Sequence, residues 1–154
     1  MRWEPDVAHE HHCDAAAQRA VICHLRETEG PRAARALLRE ALAEEQPEAI
    51  EVAVLLTSEL VANAVVHGQG EAVLEVTYAP ARGLLRVRVS DHSHEIPVLR
   101  HPSLSQDHGR GIAIVEHFSS RWGIDGPDED GKGVWFELQL PRPRGAERAP
   151  EGWI

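Results

Sequence analysis

The chain has 154 residues, with 25 acidic against 16 basic side chains and a net charge of −9 when its ten histidines are neutral. That length suits one domain burying about 70% of the surface its unfolded form exposes, and the acid excess disfavours non-specific attraction to DNA, RNA or anionic lipid, leaving a protein or a small molecule as partner. Cys13 and Cys23 are too few for a disulfide framework, the start "MRWEPDVAHEHH" lacks the basic and apolar regions of a secretion signal, and no apolar run approaches the ~20 residues that span a bilayer; the expectation is a soluble cytoplasmic protein.

Residues 1–15 are polar and His-rich without periodicity and read as a flexible arm. "QRAVICHL" (18–25) alternates Val21 and Cys23 with Ile22 and His24, as a short strand does. In "GPRAARALLREALAEE" Pro31 sits in a first turn and Ala34, Leu37, Leu38 and Leu42 recur at helical spacing, so a helix is expected. A second helix is predicted from Glu48 to Val66, entered after Pro47 and closed by Gly68.

"AVLEVTY" (72–78) and "LLRVRVSD" (84–91) alternate by twos and are joined by "APARG", the pattern of an antiparallel hairpin with Leu74, Val76, Tyr78, Leu85, Val87 and Val89 on one face. Residues 92–108 have two prolines and no period, a length at which loops are functional or disordered. "GRGIAIVEHFSS" reads as a helix opened by glycines with Ile112, Val115 and Phe118 inward. "RWGIDGPDEDGKGVWFELQL" closes as a hairpin whose last strand turns Val134, Phe136, Leu138 and Leu140 to the core, and the Pro/Arg-rich residues 142–154 read as a disordered tail. Hairpins with amphipathic helices predict one α+β domain over 16–141, a two-layer sandwich with a mostly antiparallel sheet covered on one face by about three helices.

The chemistry concentrates in "ELVANAVVHG". Glu59, Asn63 and His67 recur every four residues and line one helix face. Such a stripe belongs either to a partly buried helix whose polar groups reach solvent near its end or to a ligand site. Two further features accompany it: a strand ending in Asp91, and Gly109, Arg110 and Gly111 opening a helix, where unpaired N–H groups and the dipole favour phosphate.

In this order the motifs resemble the GHKL ATP-binding fold of type II topoisomerases and sensor histidine kinases. "LLTSELVANAVVHG", "VRVSDHSHEIPV", "GRGIAIVEHFSSRWG" and "GKGVWFELQLP" look most like small bacterial anti-sigma factors that are also serine/threonine kinases. The resemblance implies ATP and Mg²⁺ as cofactors, with Asn63 as the metal's side-chain ligand. It makes Asp91 the acceptor for the exocyclic amine of adenine, with Ser93 beside it. Gly109, Arg110 and Gly111 become the phosphate cradle, residues 92–108 a lid, and His67 a phosphate contact or a support behind one. Glu59 is then the base, or the group that orients the attacking oxygen, for transfer to a hydroxyl on another protein. The implied partners are a sigma factor and an anti-sigma factor antagonist, and a homodimer is among the expectations.

Two departures from the family pattern stand out. Ser93 occupies the third place of a glycine box that usually reads Asp-x-Gly, and Gly133 stands where the last strand usually has Thr, whose hydroxyl supports the adenine aspartate through water. They leave room for a non-catalytic module that keeps the fold and binds a sigma factor or another regulator. His9, His11, His12 and Cys13 suggest Zn²⁺ by residue type, but no second ligand pair accompanies them and a polar arm is the simpler reading. His92, His94, His101 and His108 are read as lid residues, adjacent to nucleotide or solvated. Lys132, the one lysine, is read as a turn residue.

Overall fold

The computed structural model describes residues 18–26, 29–95 and 111–141. Five strands form one antiparallel sheet: β1 (Arg19–Arg26), β2 (Glu71–Ala79), β3 (Leu84–Asp91), β4 (Arg121–Asp128) and β5 (Gly131–Gln139), in the order β1-β2-β3-β5-β4. Three helices, α1 (Gly30–Ala41), α2 (Pro47–His67) and α3 (Gly111–Phe118), cover one face. This is the α+β two-layer sandwich that alternation and helical spacing predict. The expected arm and tail, most of the expected lid, and residues Gly109, Arg110, His9, His11, His12, Cys13, His101 and His108 lie outside the described residues.

The core forms where strand parity and helix stripes meet. Leu74, Val76 and Tyr78 of β2, Leu85, Val87 and Val89 of β3, and Val134, Phe136 and Leu138 of β5 all turn inward and are buried. They meet Ala34 and Leu38 of α1 and Leu56, Leu60, Val61 and Ala64 of α2. Burying a Leu, Val or Phe side chain contributes roughly 1.5–3 kcal/mol. The hairpin between β2 and β3 closes through a 3-10 turn at Pro80–Arg82 and Gly83, whose φ of 59° is a left-handed value that favours glycine.

Two expectations need correction. α2 has 21 residues and is long and apolar enough by length and composition to cross a membrane, so an apolar run of that size is present. Its surroundings explain it: α2 touches α1, α3, β2 and β3 and is the central helix of the core. Phe118 is half exposed, because it ends α3 just before the chain turns into β4, while Ile112 and Val115 are buried.

A buried tyrosine helps tie the helix layer to the sheet. Tyr78, buried at the end of β2, donates its hydroxyl hydrogen bond to Glu45 in the α1–α2 connection. Burial first, then the bond to Glu45 and its charge, push the Tyr78 phenol well above its usual range. Burial likewise raises the Cys23 thiol, which keeps it protonated and inert.

Candidate nucleotide site

α2 carries the first group of site residues. It starts at Pro47, where the missing N–H costs nothing, and ends at Gly68, whose N–H bonds Ala64 O. Gln69 (φ 61°) and Gly70 (φ 83°) then swing the chain into β2. Glu59 and Asn63, one turn apart on a half-buried face, point toward the start of α3. A Cβ on Gly111 would lie 2.9 Å from Glu59 Oε2 and 3.1 Å from Asn63 Nδ2, so a side chain there would have to displace one of them. The four-residue spacing therefore matters: it aims a carboxylate and an amide at one helix N-terminus.

These donors fit a magnesium-bound phosphate. Mg²⁺ takes hard oxygen ligands and keeps several waters and phosphate oxygens, so one amide oxygen beside one carboxylate is a sufficient protein contribution. A half-turn of the Asn63 amide presents Oδ1 in place of Nδ2. The first N–H groups of a helix have no intrahelical acceptors and favour an anion.

The second group gathers at the end of β3. Asp91 is 6% exposed and faces the helices, sharing parity with Leu85, Val87 and Val89. Lys132 Nζ donates to both of its carboxylate oxygens at 3.1 Å, and the Ser93 N–H donates to Oδ1 at 2.7 Å. Ser93 Oγ in turn accepts from the Glu95 N–H at 3.1 Å. His67 Nδ1 lies 3.8 Å from Glu95 Oε2, with both side chains largely exposed, so His67 reaches the segment after β3. α2 links the two groups: a Cβ on Gly68 would sit 2.5 Å from Asp91 Cβ.

Lys132 is the residue that sequence reasoning missed. It is a strand residue paired across from Asp91 in the β3–β5 register, 7% exposed, not part of a turn. Parity carried the signal, because Lys132 falls in step with Val134, Phe136 and Leu138, all inward. The same parity corrects the reading of Gly133, which pairs with Ser90 on the opposite face. There the Arg88 guanidinium lies against it, 2.5 Å from where a Cβ would be. A threonine at 133 would point away from Asp91, so the side chain supporting the aspartate comes from position 132.

Arg88 anchors that outer face by donating to Glu75 at 2.7 Å and Asp125 at 3.1 Å. Burial alone would lower its pKa, but these bonds and charges outweigh it and raise it. Asp91 and Lys132 also border a cavity of about 1050 Å³ at this end of the sheet, with Leu25, Ala33 and Ala72 supplying apolar wall. Glu59, Asn63 and Gly111 do not line it, and Gly109 and Arg110 lie outside the described residues.

A two-layer sandwich with a polar α2 stripe at a helix start and a buried aspartate at a strand end defines the class of histidine kinase-like ATP-binding domains. The family model for the histidine kinase-like ATPase domain matches residues 24–138, and the chain belongs to that family. A solved structure of the RsbU and RsbW domains of Rv1364c from Mycobacterium tuberculosis is similar at 28% identity and a TM-score of 0.59. The match covers 79% of this chain and 33% of that one, so this chain spans about a third of its length. No curated protein matches.

Proposed function

We propose that this protein is a cytoplasmic ATP- and Mg²⁺-dependent regulator of the anti-sigma factor type, which phosphorylates a serine or threonine of an antagonist protein and controls transcription by switching partners. The observation that carries the reading is the approach of Gly111 to Glu59 and Asn63. Similarity to a structure containing an RsbW domain supports the regulatory half.

Bound Mg·ATP would supply the transferable phosphoryl group and much of the charge neutralisation. Asn63 would contribute an amide oxygen to the metal, and the start of α3 would hold phosphate oxygens. Asp91 accepts from the exocyclic amine of adenine. Glu59 orients the acceptor hydroxyl and takes its proton as the new O–P bond forms and the bond to the departing ADP oxygen breaks. The partner's hydroxyl comes from outside this chain, as does the sigma factor that this protein would hold, and a homodimer is consistent with the reading.

The rival reading, a module that binds its partner without turnover, drew on Ser93 and Gly133. Gly133 no longer favours it, since its side of β5 faces away from Asp91. Following γ-phosphate from labelled Mg·ATP into candidate antagonist domains tests the choice. Incorporation supports the kinase; tight ATP binding without incorporation into any candidate supports the module.

A further inference from the structure

Asp91 and Lys132 form a donor and acceptor pair whose free positions can be counted. Asp91 Oδ1 accepts from both Lys132 and the Ser93 N–H, which fills its two lone pairs, while Oδ2 accepts from Lys132 alone. One acceptor position remains, on Oδ2. An ammonium carries three donors, and the shared contact with the two oxygens of Asp91 leaves Lys132 at least one. The pair thus presents an acceptor beside a donor, and both residues border the cavity.

We propose that Lys132 is a specificity-determining residue that donates its remaining N–H to ring nitrogen N1 of adenine while Asp91 accepts from the neighbouring 6-amine. The inference rests on the adenine reading of Asp91 made above. Adenine offers a donor (the 6-amine) beside an acceptor (N1), the complement of this pair. A 6-oxopurine offers an acceptor beside an N1–H donor, which sets donor against donor and acceptor against acceptor. Turning the base over would restore the match, but phosphates held at the start of α3 fix which way the base enters. Discrimination of this kind is strong because the mismatched base leaves buried polar groups unpaired.

A carboxylate alone would read only the amine. With Lys132 at its side the site reads two adjacent atoms of the base edge. The same bonds hold the carboxylate in one orientation, since Lys132 spans both oxygens and the Ser93 N–H pins one of them.

The test uses the unmodified full chain and calorimetric titration with the Mg²⁺ complexes of ATP, 1-deaza-ATP and inosine triphosphate. 1-Deaza-ATP keeps the amine and replaces N1 with C–H; inosine triphosphate replaces the amine with a carbonyl. Loss of a hydrogen bond to a charged donor should weaken 1-deaza-ATP about ten- to a hundredfold relative to ATP. The Lys132→Met variant, if folded, should bind ATP and 1-deaza-ATP equally. Wild-type protein that favours ATP over inosine triphosphate yet binds 1-deaza-ATP as tightly as ATP would overturn the role of Lys132 and leave that of Asp91 standing. Equal binding of ATP and inosine triphosphate would overturn the adenine reading itself, and this inference with it. Neither comparison depends on the variant folding.

Discussion

Gly111 and Glu59 stand so close that a single methyl group on Gly111 would lie 2.9 Å from Glu59 Oε2. The atom it meets is the far end of a flexible side chain, so the fold can yield cheaply, and Glu59 must yield. Gly111→Ala should therefore shift the thermal midpoint by only a few degrees, for a stability change of about 1 kcal/mol or less. Phosphoryl transfer should fall about tenfold or more, because misplacement by about 1 Å can cost a hundredfold. Thermal melting and a phosphate-incorporation assay on the same preparation check both halves; unchanged transfer refutes the placement.

Asn63 and Glu59 share a helix face but are assigned different work, and substitution separates them. Asn63→Ala should abolish Mg²⁺-dependent ATP binding while leaving circular dichroism unchanged, since Asn63 is a half-buried polar residue outside the apolar core. Glu59→Gln should keep ATP binding and lower transfer roughly 10²–10⁴-fold, the usual cost of losing a positioned base. Equal transfer rates for wild type and Glu59→Gln would remove Glu59 from catalysis.

The buried pair of Lys132 and Asp91 makes a prediction about stability. Lys132→Met leaves an uncompensated carboxylate beside the end of α2 and should cost about 3–5 kcal/mol in denaturant unfolding. Replacing both residues with apolar ones, Asp91→Leu with Lys132→Met, should cost less than the single change, because neither charge is then stranded. A double variant less stable than the single one would mean that the two side chains stabilise the fold independently.

Tyr78 is the one tyrosine of the chain, so tyrosinate absorbance reports it alone. Its folded pKa is raised by burial and by Glu45, whereas an unfolded phenol titrates near ~10. Between those values the native state holds a proton that the unfolded state has lost. The stabilisation is fully present below ~pH 10 and drains away as the pH climbs through the folded value. Absorbance should thus stay flat through the ordinary phenol range and rise together with loss of the fold. A reversible titration near pH 10 with the structure intact would contradict the burial of this hydroxyl.

Much of this was legible in the sequence because alternation and helical spacing are local signals. The inward sets on β2, β3 and β5 follow from parity, and the Glu59–Asn63 stripe from a spacing of four. What was not legible depends on pairing between distant strands. Lys132 looks like a turn residue amid "PDEDGKG" until the register sets it across from Asp91, 41 positions away. Gly133 looks like a lost hydroxyl until its parity is counted from that register. Phe118 fits the inward spacing of α3 but stands at its last residue, and spacing does not say where a helix stops.

The wedge of Gly68 against Asp91 turns α2 into a ruler. Asn63 lies five residues before Gly68, about 7.5 Å along the helix axis at 1.5 Å per residue. In the proposed reading that fixed span separates the end that grips the base from the end that grips the phosphates, and with no side chain at Gly68 there is no slack between them. A ligand is then measured by reach before it is judged by chemistry: a free base can touch one mark on the ruler, and a nucleotide can touch both.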